Sequence, residues 1–149
     1  MTLILGIATT LCIGLMIGVE LAVSAFINPV LGQLDPRARL AAIRLFAAKL
    51  GCAMPFWYVL SFLLLLAEAF FFRRAPQLPL LGAAAAIWAA VIVLTLVFLV
   101  PINNRMARLS PDAPVHETLQ DHQRWDSLHR IRVVALATAM VLVLAALQI

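Results

Sequence analysis

Four stretches of this chain, residues 3–27, 52–72, 80–100 and 131–149, are almost pure hydrocarbon, and each is about as long as a bilayer is thick. Within lipid a backbone must satisfy its own hydrogen bonds, which leaves helices or closed barrels. The apolar runs are continuous and long, without the alternation of barrel strands, so helices are expected. Composition agrees: 64% of the 149 residues are hydrophobic and 12% are charged, against about 25% charged in soluble domains. A soluble fold of this length could not cover so much apolar surface. The expectation is an all-α, integral membrane four-helix bundle, a single domain over 1–149, with the lipid bilayer as its main partner.

The spaces between the runs carry helix punctuation. Asn28-Pro29 is expected to end the first span, and Asp35-Pro36 reads as an N-cap followed by proline at the first helical position. Residues 36–50 place Leu40, Ile43, Ala47 and Leu50 at helical spacing among basic residues, which suggests an interfacial helix or an extension of the second span. Pro55 is a candidate kink, and Trp57 and Tyr58 suit the headgroup level. Glu68 is expected to pair at the interface with Arg73 or Arg74. Pro101 should stop or bend the third span. After the breaker cluster Ser110-Pro111-Asp112-Ala113-Pro114, an interfacial helix over 114–130 can run unbroken into the fourth span. The first run lacks the basic leader of a signal peptide, so it reads as a retained span. Cys12 and Cys52 lie at depths roughly 20 Å apart, too far for a disulfide.

The net charge is +4, and eight of the eleven basic residues fall on the two long connections, 28–51 and 101–131, with Arg132 just beyond. Their placement beside apolar runs reads as membrane topology and not as a nucleic-acid surface. It predicts both long connections in the cytoplasm and both termini outside, in a bacterial inner membrane. The halves also echo each other. Asn28, Leu34 and Pro36 recur as Asn103, Leu109 and Pro111, and Glu20 maps onto Thr95, all at an offset of 75. The alternatives are a tandem repeat of two helical hairpins and coincidence. Small-residue stripes at Gly14, Gly18 and Ala83 to Ala86 fit close helix packing within the bundle or in a homo-oligomer.

Chemistry concentrates in the polar segment 101–132, which holds His116, His122 and His129. His122, Trp125, Asp126 and His129 share one helical stripe, and Arg132 continues it. Asn103 and Asn104 begin at the same level past the third span, as Asn28 does past the first. Glu20 lies inside an apolar run, where an ionisable group is costly and marks function by default. A Glu20–Arg132 pair would relieve two buried charges. Three readings of the stripe stay open: a His129–Asp126 acid–base pair, a metal site drawing on His122 and His129 with Asp126, His116 or Glu20, or a solvated helix face.

The stretch VPINNRMARL, followed after a gap by RWDSLHRIR, resembles the anthrone oxygenase family. The family pattern is Pro-x-Asn at the end of the third span, then Trp-(Asn/Asp)-x-x-His-x-x-Arg entering the fourth. Here Pro101, Asn103, Trp125, Asp126, His129 and Arg132 supply it. Asp126 stands where Asn is more usual, which puts an acid–base pairing in question as a family feature. The resemblance implies a membrane-embedded oxidoreductase that oxidises a lipophilic phenolic or polyketide-type small molecule with O2. No organic cofactor is implied, and copper or iron stays open. The resemblance points to His129 and Asp126 in catalysis, with Asn103, Trp125 and Arg132, and more loosely Asn28, around the substrate; the reading of the residues themselves adds Glu20 as a catalytic candidate and Asn104 and Tyr58 as substrate contacts. The alternative is a non-catalytic membrane binding module, scaffold or transporter-like subunit.

Overall fold

A computed structural model describes residues 2–110 and 113–149. Four helices, α1 (Leu3–Leu31), α2 (Pro36–Phe71), α3 (Leu78–Ala107) and α4 (Val115–Ala146), are each long and apolar enough to cross a membrane. They form a bundle, and the described residues contain no strand. The bundle is a multi-pass integral membrane protein, and its outer surface is correspondingly greasy: Leu3, Leu11, Leu15, Phe56 and Val134 are all exposed.

The helices begin as the sequence suggests and end later. The Asp35 carboxylate accepts from the backbone N–H groups of Arg37 and Ala38, which caps α2. Residues 36–50 are an extension of the second span, and the single helix also passes through Pro55. Asn28-Pro29 does not end α1, nor does Pro101 end α3. A π-helical turn precedes each proline, at Val23–Ile27 and Thr95–Leu99. The N–H of Asn28 reaches the Val23 carbonyl, and that of Val100 reaches Thr95. A wider turn eases the clash between a proline ring and the carbonyl four residues earlier, so both helices continue. This shared device recurs at an offset of 72, out of step with the 75-residue echo of side chains; Pro111 lies outside the described residues.

Two apolar clusters hold the bundle. The larger fills the membrane interior with Ile13, Met16, Leu65, Trp88, Leu136 and Val143. Ala84 and Ala85 of α3 and Ala139 and Ala146 of α4 are buried, and such small residues let helix backbones approach. The smaller cluster, Leu31, Ile43, Ala47, Ile102 and Met106, joins the helix extensions at one end. Tyr58 is buried in the larger cluster, and Trp57 donates its indole N–H to the Cys12 carbonyl at 3.0 Å. Both cysteines are free thiols. Glu68 is likewise buried, and Arg73 turns onto the Phe70 ring and carbonyl, so the expected Glu68–Arg73 pair is absent.

Candidate functional site

Between the two apolar clusters lies a buried group of charges. Glu20 on α1 and Arg132 on α4 pair at 2.6 Å, with side chains 3% and 8% exposed. Such burial makes each charge depend on the other, since neither has water to turn to. His129, one turn before Arg132, completes the group. Its Nε2 lies 3.1 Å from the backbone carbonyl of Glu20. A carbonyl only accepts, so Nε2 carries a proton. Nδ1 stands 2.9 Å from Arg132 Nη2 and 3.1 Å from Glu20 Oε2. In the neutral ring Nδ1 accepts from Arg132. In the protonated ring Nδ1–H donates to Glu20. One arrangement therefore accommodates both states of the ring.

The sequence stripe divides in three dimensions. Trp125 lies face to face with His129 at 4.7 Å between ring centroids, and His122 flanks its ring at 6.2 Å. His116 is exposed. The expected His129–Asp126 pair is not formed. Asp126 accepts from Asn28 and pairs with Arg130 one turn on, while His129 turns inward to α1. The acid beside the imidazole is Glu20. Asn103 reaches across to donate to the Ala47 carbonyl of α2 at 3.1 Å.

That crossing depends on Gly51, a residue the sequence did not flag. A Cβ there would fall 2.5 Å from Asn103 Nδ2. Gly51→Ala should therefore push the Asn103 amide aside and break its bond to Ala47, a loss of about 0.5–1.5 kcal/mol set against about 0.5–1 kcal/mol gained by Ala in a helix interior. The thermal midpoint in lipid nanodiscs should then move little; a large fall would refute it.

In front of the charge group is a cavity of about 230 Å³ between α2 and α3. Its walls are mostly apolar, among them Leu50, Met54, Val59, Ile92 and Leu99. Its polar lining is Tyr58, Thr95, Asn103, Asn104 and Arg132, with Trp125 as one wall. Arg132 Nη1 approaches the Thr95 hydroxyl at 3.4 Å, and its guanidinium lies 5.4 Å from the Tyr58 ring centroid. The Tyr58 hydroxyl and Arg132 Nε are both buried and lack a hydrogen-bond partner. His129 does not line this cavity; Arg132, Trp125 and Tyr58 do. Trp125 also bounds a smaller recess of about 30 Å³, shared with Asn28, Asn103 and His122.

A His122–His129–Glu20 metal site does not fit these positions. The Trp125 ring stacks against both imidazoles, and both nitrogens of His129 already face protein partners. Among the described residues no group of three or more His, Cys, Asp or Glu side chains is placed to hold a metal ion.

The anthrone oxygenase family model matches residues 44–142, about two thirds of the chain. The chain belongs to the anthrone oxygenase family. Comparison with curated proteins and with solved structures gave no match. The family segment contains Tyr58, Thr95, Asn103, Trp125, His129 and Arg132, which is one side of the site. Glu20 and Asn28, which complete it from α1, lie outside the matched segment. Thr95 was visible in the sequence as the one polar side chain of the third span, but its contact with Arg132 depends on how α3 and α4 pack.

Proposed function

We propose that this member of the family is a membrane-embedded oxidoreductase that oxidises a compact, lipophilic phenolic or anthrone-type molecule with O2. The observation that carries this reading is the mostly apolar cavity with Tyr58, Trp125 and Arg132 on its lining, backed by the Glu20–His129 pair. At about 230 Å³ the cavity is somewhat below the roughly 300–1,000 Å³ of drug-sized pockets, so it suits a small fused-ring ligand. Such a ligand partitions into lipid and reaches the cavity between α2 and α3. The positive-inside distribution supports a cytoplasmic position for this end of the bundle.

The chemistry follows from the groups present. The carbonyl oxygen of the bound molecule meets Arg132, with Trp125 against the ring face. Loss of a C–H proton leaves an enolate, whose charge Arg132 offsets in a site with little water to compete. The proton passes by way of the Tyr58 hydroxyl toward Nδ1 of His129, where Glu20 holds it. O2 adds at the carbanion carbon. The resulting peroxide anion takes back the proton, and the hydroperoxide so formed loses its remaining C–H hydrogen and terminal OH as water, which leaves a ketone. The sum is one O2 consumed, one CH2 converted to C=O, and one water released.

One feature favours a second reading, a binding module without catalysis: both nitrogens of His129 are engaged and the ring is screened from the cavity. Tyr58→Phe separates the two. It removes the relay hydroxyl and leaves the ring. An enzyme should lose about 10²-fold in turnover with ligand affinity nearly unchanged. Quinone formation from an anthrone, followed by absorbance in nanodiscs, reads the first, and ligand quenching of tryptophan fluorescence reads the second. Binding without quinone formation by the wild-type protein would favour the binding module.

A further inference from the structure

His122 lies outside the charge group and does not line the substrate cavity. Its ring is nonetheless buried, 4% exposed, and stands within 18° of parallel to Trp125 at 6.2 Å between centroids. His129 stacks on the same indole at 4.7 Å and 12°. By the helical rise, His122 sits about 4.5 Å before Trp125 along α4 and His129 about 6 Å after it. The two imidazoles therefore meet the indole from opposite sides, and the three rings form one column. The indole needs such bracing. Trp125 is only half-buried, and it bounds both the cavity of about 230 Å³ and the recess of about 30 Å³.

We propose that His122 is a positioning residue: it backs the Trp125 ring, and through that ring it holds the His129 imidazole in place. The inference rests on the acid–base role given to His129 above. Contacts at the edge of that imidazole change whenever its proton moves. In the neutral ring Nδ1 accepts from Arg132, and in the protonated ring Nδ1–H donates to Glu20. The face of the ring keeps the same neighbour in both states. Stacking can therefore keep Nε2 on the Glu20 carbonyl while Nδ1 exchanges partners. The column uses the flat face of His122 and not its nitrogens; Nδ1 is buried without a hydrogen-bond partner. An apolar ring of similar size should serve as well.

The test follows the ring nitrogens of His129 by nitrogen NMR of the full chain in nanodiscs. His116 is exposed, and His116→Gln removes its signal. In that background His122→Ala and His122→Phe each leave His129 as the sole histidine. The Phe variant should show one neutral tautomer, with the proton on Nε2, as the bond to the Glu20 carbonyl requires. The Ala variant should show both tautomers, because the indole tilts and frees the ring. Turnover should fall about 10- to 10²-fold in the Ala variant, the order expected for a misplacement of about 1 Å. It should recover in the Phe variant, with ligand affinity nearly constant throughout. A single Nε2–H tautomer in the Ala variant would overturn the proposal, as would undiminished turnover there. Mixed tautomers or lost turnover in the Phe variant would assign the role to the His122 nitrogens and overturn it equally, even if the Ala variant failed to fold. Tautomers that follow the column in a protein that oxidises no anthrone would uphold the positioning and refute the reaction instead.

Discussion

Arg132→Ala should leave a protein about 3–5 kcal/mol less stable, because it strands Glu20 as an uncompensated buried charge. Turnover should be lost with it, since Arg132 is the one cation lining the cavity among the described residues. Stability and catalysis can be separated by a second variant. Replacing both members of the pair, Glu20→Leu with Arg132→Leu, removes the stranded charge. Similar swaps of buried ion pairs for apolar residues are often neutral or stabilising. The double variant should therefore recover most of the lost stability and none of the activity. Denaturant unfolding in detergent micelles provides the comparison. If Arg132→Ala unfolds like the wild type, the pair is not the buried, mutually dependent unit described above.

His129→Ala should lower turnover by about 10²–10⁴-fold, the usual range for losing a positioned acid–base group. The informative control is Asp126→Asn. Sequence spacing makes Asp126 the natural partner of His129, but its carboxylate is committed to Asn28 and Arg130. Asp126→Asn should therefore change turnover only a few-fold, while Glu20→Gln should approach the loss seen for His129→Ala. The reverse order, a severe Asp126→Asn and a mild Glu20→Gln, would return the acid role to Asp126. Circular dichroism on each variant checks that the bundle persists.

The contrast between Glu20 and Asp126 shows what the sequence made readable. Four apolar runs dictate four spanning helices, because lipid leaves the backbone few other options. The Asp35 cap is equally local, and it forms where the sequence places it. The Glu20–Arg132 pair was open to reasoning because both depths follow from helical rise and both charges need relief. The partner of His129 was not, because it depends on how α4 is rotated against α1. That rotation is set by long-range packing in the two apolar clusters. Pro29 and Pro101 mislead for a related reason: proline usually ends a helix, and the π turns that rescue these two are not encoded in any simple residue pattern. Gly51 acquires meaning only beside Asn103, more than fifty residues away. Glu68 looked like half of a surface pair because arginines follow it in sequence, yet its own helix face turns it into the bundle.

The most direct test of the central claim is oxygen uptake by the purified protein in nanodiscs supplied with an anthrone, measured alongside quinone absorbance. Empty nanodiscs set the uncatalysed rate, and Met54→Trp fills the cavity while Glu20, His129 and Arg132 are all retained. The account predicts one O2 consumed per quinone formed, well above the empty-disc rate, and return to that rate when the cavity is filled. Uptake no faster than in empty discs, or undiminished in Met54→Trp, would contradict it.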